Sequence, residues 1–321
     1  ALRNTVELAK AAERLGYARY WVSEHHNSAG FAGTAPEILI GQIAASTSTI
    51  RVGSGGVMLS HYSALKVAET FRILNAFYPG RIDLGIGRAP GSDQLTAAAL
   101  SHPKPPMDIK YFPRQILDLM NYLTDRTEEE HPFGRVRAQP GPAVDSWPEV
   151  WLLGSSNYSA QLAAMLGLPF AFADFFGNTA DLGPAIAELY RAEFRPSEYL
   201  AQPKVNATVQ LICAETEERA RFIAASRNLS KLSSLTGHRG GLLPPEEASA
   251  RPLDERERQL MAGFARGYLD GDPPQVRANL FAAAQRYGTE DIAIVTNAYS
   301  FEDRLRSYEL VAEVMELTAR P

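Results

Sequence analysis

Apolar positions along this chain alternate between two rhythms: short runs dense in β-branched and aromatic residues, and longer stretches whose apolar residues recur three or four apart. The short runs begin near residues 18, 51, 81, 149, 169, 205 and 291 and read as strands. Helical periods separate them. Leu2 to Leu15 forms a helix stopped by Gly16, and Ser63 caps a helix carrying Val67, Phe71 and Leu74 that ends at Tyr78-Pro79-Gly80. Thr34-Ala35-Pro36-Glu37 has capping-box spacing ahead of Ile38, Leu39, Ile43 and Ala44. Asp272 and Pro273 supply an N-cap and a first-turn proline for Val276, Leu280, Ala283 and Tyr287. Strands that alternate with helices predict a mostly parallel sheet covered by helices. Two Gly/Pro-rich stretches, 89–113 and 233–257, lack any period and read as long loops. The second is expected to be a mobile lid over the active site.

Seven strands fit two architectures. An open doubly wound sheet needs no further strand, whereas a (β/α)₈ TIM barrel needs one more, expected to lie outside the printed chain ahead of the helix at residue 2. Pattern alone leaves both open. In either case residues 1–321 are expected to form one domain, and a chain 45% hydrophobic can bury a large core. Net charge is −5, with no basic run, so a nucleic-acid partner is not indicated. The single Cys213 excludes a disulfide framework and any cysteine-rich metal site. No 18-residue apolar run and no signal-peptide pattern occurs, so the expected location is cytoplasmic and away from membranes.

Candidate chemistry gathers at the expected C-terminal ends of four strands: residues 24–26, 53–57, 85–88 and 154–156. Gly53, Gly55 and Gly56 interrupt one strand, and glycine weakens a strand unless something must approach its backbone closely. A flat ligand is the expected visitor. Gly85-Ile86-Gly87-Arg88-Ala89-Pro90-Gly91 misses the dinucleotide spacing, because its third glycine comes one residue late and Pro90 does not open a helix. Gly154-Ser155-Ser156-Asn157-Tyr158-Ser159 joins a strand to a helix. Its hydroxyls and free backbone N–H groups outline an anion site, although an ordinary serine cap uses the same residues. Arg88, at the end of an earlier strand, could complete a phosphate clamp. Glu24-His25-His26 ends the first strand. Neighbours on an extended strand point to opposite faces and no third ligand cluster follows, so no metal is expected. Core histidines and a general acid/base both remain open. Neither a GxSxG elbow nor a P-loop is present.

Three segments, WVSEHHNSAGFAGTAPEILIGQIAASTSTIRVGSGGVML, LNAFYPGRIDLGIGRAPGSD and WLLGSSNYSAQLAAMLGLPFAFADF, resemble the luciferase-like monooxygenase family of flavin-dependent enzymes, and the likeness extends over nearly the whole chain. The resemblance implies a TIM barrel that uses reduced FMN and O₂ to insert one oxygen atom into a small organic substrate. It also implies a separate flavin reductase as supplier and a homodimer. A deazaflavin-dependent hydride-transfer enzyme and a non-catalytic flavin-binding protein are the alternatives. Matched by position, the family's catalytic acid/base histidine falls on His25, with Glu24 and His26 beside it. The FMN phosphate holders fall on Arg88, Ser155, Ser156 and Ser159, and Gly55, Gly56 and Gly87 lie along the flavin ring. A cis peptide is implied at Gly55-Gly56. Ser155 stands where luciferase has a glutamate and Gly87 where it has a reactive cysteine, so neither light emission nor luciferase's aldehyde substrate is implied.

Overall fold

β-branched and aromatic runs become strands here because the middle strands of the sheet are buried on both faces and the first and last partly so, and the periodic stretches become helices because each must cover the sheet with one apolar stripe. The structure is a computed structural model that describes residues 1–89, 91–126, 130–141, 146–177, 181–237 and 240–319. In chain order the elements are α1 (Leu2–Arg14), β1 (Arg19–Val22), α2 (Pro36–Ala45), β2 (Arg51–Met58), α3 (Ala64–Phe77), β3 (Ile82–Gly87), α4 (Gln94–Ser101), α5 (Phe112–Thr124), β4 (Glu149–Gly154), α6 (Asn157–Leu166), β5 (Phe170–Ala173), α7 (Gly183–Glu193), β6 (Val205–Gln210), α8 (Glu217–Leu235), α9 (Pro245–Ala250), α10 (Glu255–Ala265), α11 (Pro273–Tyr287), β7 (Ile292–Val295) and α12 (Phe301–Val314).

All seven strands lie in one parallel sheet in the order β1-β2-β3-β4-β5-β6-β7. A doubly wound sheet reverses its strand order at a switch point. This sheet advances without reversal and curls as a half-barrel, which selects the barrel alternative; among the described residues no pairing joins β7 to β1. Val52, Ile82, Leu84, Ile86, Val150, Leu152 and Phe170 are buried, as are Val67, Phe71 and Leu74 of α3. Side chains of this size contribute about 1.5–3 kcal/mol each when fully buried, more than a helix cap supplies, so sheet contact rather than capping fixes the helices. Val276, Leu280, Ala283 and Tyr287 form the buried stripe of α11, behind an Asp272/Gln275 capping box.

Four local expectations need correction. Thr34 does not cap α2: Ala35 is the N-cap and makes no side-chain bond, Pro36 starts the helix, and Ile38 is 65% exposed because Ile40 and Ile43 take the inward positions. The stretch 89–113 contains α4, capped by the Asp93 carboxylate accepting from the Thr96 N–H at 2.9 Å, and the helix that the sequence predicts from about Gln115 starts at Phe112 as α5. The stretch 233–257 is partly helical, since α8 runs to Leu235, α9 lies within it and α10 begins at Glu255. Ala248 and Leu253 of this stretch pack with Leu229, Leu232 and Phe264, so the middle of the expected lid is anchored. A six-residue helix such as α9 is under two turns long, too short to show a period. Residue 90 and residues 238–239 of these stretches lie outside the described residues. Finally, the alternation from Val205 to Ala214 predicts a longer strand than β6, which ends at Gln210. Among the described residues no helix is long and apolar enough to cross a membrane.

Candidate functional site

The C-terminal ends of β1 to β4 lie side by side, with Met58 at the end of β2 in register with Gly87 at the end of β3. Glu24, two residues past β1, is fully buried there. Its Oε1 accepts from the Tyr62 hydroxyl at 2.7 Å and from His26 Nε2 at 2.8 Å, and its Oε2 accepts from the Met58 N–H at 2.9 Å. Burial and the bond to Glu24 raise the Tyr62 phenol's pKa well above its ordinary value, which keeps it a donor. The His61 ring stands perpendicular to His26 at 6.4 Å between centroids.

His25 points elsewhere, as alternation along an extended segment requires. Its ring lies on Phe31 at 4.3 Å between centroids, and its Nδ1 is 3.3 Å from the Gly91 carbonyl oxygen. The segment after β3 thus folds back onto the residues after β1. The Gly55–Gly56 peptide bond is cis.

The strand glycines serve a different purpose from the one the sequence suggests. A Cβ on Gly85 would lie 2.1 Å from the Ser54 carbonyl oxygen, and one on Gly56 would lie 2.7 Å from the Gly85 carbonyl oxygen. Protein backbone fills that space, so adjacent strands and not a ligand exclude side chains there. Gly53 is at the other end of the sheet, in register with Asp83, whose Cβ would be 2.5 Å from a Cβ on Gly53. Gly87 and Gly55 differ, because the nearest atoms to an added Cβ belong to side chains, Met58 at 3.2 Å and Trp21 at 3.3 Å respectively.

Across β3 from the histidines, Arg88 leaves the strand half-buried, its guanidinium carbon 4.4 Å from the centre of the Tyr158 ring. Among the described residues it makes no hydrogen bond and no ion pair. Tyr158 lies in the first turn of α6, whose N-cap, Ser156, forms no side-chain capping bond. Instead Ser156 and Ser159 share a hydroxyl contact at 3.1 Å, and the Ser159 hydroxyl donates to the Ser156 carbonyl. Ser155 is half-buried at the same turn. An arginine stacked on a ring keeps its in-plane donors available, and an uncapped helix start leaves backbone N–H groups pointing outward. Together they suit a phosphate. The residues after β3 join the histidine cluster to this corner. Tyr62 and Tyr158 are the site residues that sequence reasoning missed; their only advance signal is position, one following β2 and the other inside the serine turn.

The strand starts carry a second cluster that the sequence reading did not assemble. Asp83, fully buried, accepts from Arg19 at 2.7 Å, from Trp21 Nε1 at 2.9 Å and from Arg51 Nε at 2.9 Å. Glu149 accepts from Arg19 at 3.0 Å and from Lys204. Arg19 and Lys204 also lie over the Trp151 ring, at 5.2 and 4.8 Å. Burial alone would push the Glu149 carboxyl up, but Lys204 and Arg19 outweigh it and hold it below the usual carboxylate range. Burial likewise opposes the charge on Arg19, and Asp83 with Glu149 overcomes it.

The family model of the luciferase-like monooxygenases matches residues 1–291. The chain is 39% identical to a luciferase-like monooxygenase of Escherichia coli (strain K12), over 98% of this chain and 92% of that one. It is 35% identical to N-acetyl-S-alkylcysteine monooxygenase of Bacillus subtilis (strain 168), over the same shares of the two chains. Among solved structures, apo-MsnO8 is 41% identical with a TM-score of 0.90, covering 99% of this chain and 94% of that one. Two more distant chains share the fold alone: the oxygenating constituent of 3,6-diketocamphane monooxygenase from Pseudomonas putida in complex with FMN (18% identical, TM-score 0.70, 100% and 94% covered) and an F420-dependent secondary alcohol dehydrogenase (14% identical, TM-score 0.70, 98% and 94% covered). A match that spans nine-tenths of the chain, on a parallel barrel-like sheet with its open polar groups at the strand ends, places this chain in the luciferase-like monooxygenase family.

Proposed function

We propose that this protein is a flavin-dependent monooxygenase that uses reduced FMN and O₂ to insert one oxygen atom into a small organic substrate. The observation that carries the choice of FMN is Arg88, half-buried, stacked on Tyr158 and without an acceptor among the described residues, beside the uncapped start of α6. In this reading Arg88 and the hydroxyls of Ser155, Ser156 and Ser159 hold the phosphate, while Gly87 and the backbone of Gly55 and Gly56 lie along the ring. Reduced FMN, when bound, supplies the electrons that activate oxygen. His25 then acts as the general acid/base of the reaction. Glu24 and His26 complete the polar wall. A separate reductase supplies the reduced flavin, and the same reading carries a cytoplasmic homodimer organised as one domain.

Oxygen uptake tests it. With a flavin reductase, NADH, FMN and a panel of small organic acceptors, one acceptor should gain one oxygen atom from ¹⁸O₂. Hydride transfer to or from F420 under anaerobic conditions would replace this reading with the deazaflavin one, and flavin binding without turnover of any acceptor would reduce it to a carrier role.

A further inference from the structure

The polar groups around Glu24 hold more information than a role in the wall requires. Its carboxylate is fully buried, and three donors from three parts of the chain converge on it: His26 after β1, the Met58 N–H at the end of β2, and the Tyr62 hydroxyl beyond it. A carboxylate only accepts. The imidazole nitrogen 2.8 Å away must therefore carry a hydrogen. We propose that Glu24 is a positioning residue that fixes His26 as the tautomer with its proton on Nε2, leaving Nδ1 as the acceptor.

His25 is held in the opposite sense. Its Nδ1 faces a backbone carbonyl, also an acceptor only, so there the proton sits on Nδ1 and the lone pair on Nε2. Two consecutive histidines thus present different nitrogens to the site. The fixed one is His26, on a 2.8 Å bond to a buried carboxylate, while His25 rests on a 3.3 Å bond to a carbonyl. If the acid/base reading holds, each imidazole can take a proton at one defined atom: Nδ1 of His26 and Nε2 of His25. Tyr62 and Met58 lock the carboxylate's orientation, and His61 bounds the other side of His26.

Substitution of Glu24 makes the proposal sharp. Met58 offers only an N–H, so in Glu24→Gln the amide oxygen must stay on Met58 and the amide NH₂ must turn toward Tyr62 and His26. Nε2 of His26 then has to accept, and the proton moves to Nδ1. Tyr62→Phe removes a donor to the carboxylate but leaves the carboxylate itself, so His26 keeps its tautomer.

Long-range ¹H–¹⁵N spectra of the full chain, labelled on histidine and recorded about two units above histidine's ordinary pKa, read the tautomer directly. The chain has six histidines, so His25→Gln and His26→Gln variants assign the two signals. Wild type should show His26 protonated on Nε2 and His25 on Nδ1, Glu24→Gln should invert His26 alone, and Tyr62→Phe should leave it unchanged. A wild-type His26 protonated on Nδ1 overturns the proposal, as does an unchanged His26 in Glu24→Gln or an inverted one in Tyr62→Phe. If Glu24→Gln fails to fold, the wild-type spectrum still decides. No flavin is present in the measurement, so failure of the FMN reading and failure of this proposal are separate results.

Discussion

Arg19 and Arg88 stand at opposite ends of the sheet, on β1 and just past β3 with β2 between them, and the protein treats them in opposite ways. Arg19, at the start of β1, is given two carboxylates, Asp83 and Glu149, and a tryptophan face. Arg88, past the end of β3, is given a tyrosine face and, among the described residues, no acceptor. A charge whose partners lie within the chain is committed to the fold, whereas one oriented but unpaired is kept for something that arrives. The strand starts are therefore expected to govern stability and the strand ends to govern binding and chemistry.

The largest effects should separate the two ends cleanly. Asp83→Asn leaves Arg19 and Arg51 facing a neutral group in a buried layer, and breaking a buried pair costs about 3–5 kcal/mol. Urea unfolding should show that loss, and FMN affinity of the remaining folded protein should be unchanged. His25→Ala should do the reverse. Reoxidation of bound reduced FMN by oxygen, followed in a stopped-flow instrument, should slow by about 10²–10⁴, with little change in the urea midpoint.

A smaller effect probes the stack. Tyr158→Leu removes the ring that orients Arg88, and a cation–π contact at a partly exposed site is worth about 0.5–1 kcal/mol, so FMN should bind roughly two- to five-fold more weakly. Tyr158→Phe should restore most of the loss. The smallest effect is in pH. Glu149 has a folded-state pKa below its ordinary 4.5, so its stabilising share is present above that value and is lost as pH falls through the lowered one. Thermal melts should therefore drop on acidification below about pH 4.5, and Glu149→Gln should flatten that drop while lowering the melting temperature at neutral pH.

Legibility differed between the two ends for a physical reason. All seven strands and the stripe of α11 were readable, because periodic burial writes itself into the sequence. The serine turn and Arg88 were readable too, since a strand-to-helix junction has local grammar. Register does not. Asp83, Arg19, Arg51 and Glu149 meet only because parallel pairing sets Arg19 beside Arg51 and Asp83 beside Glu149. The same holds for Tyr62, which reaches Glu24 across 38 positions of sequence. The strand glycines misled because Gly56 and Gly85 yield to neighbouring backbone. The helices α4, α9 and α10 were hidden in Gly/Pro-rich sequence, too short or too polar to show a period.

A phosphate-binding corner at the strand ends is the central claim, and isothermal titration of the full chain with FMN and with riboflavin tests it most directly. The two ligands share a ring and differ by the phosphate. The wild type should prefer FMN by about ten-fold or more, the range of one or two charge-assisted hydrogen bonds, and Arg88→Ala should erase most of that preference without lowering the urea midpoint. Equal affinities for the two in the wild type, or an undiminished preference in Arg88→Ala, would contradict it.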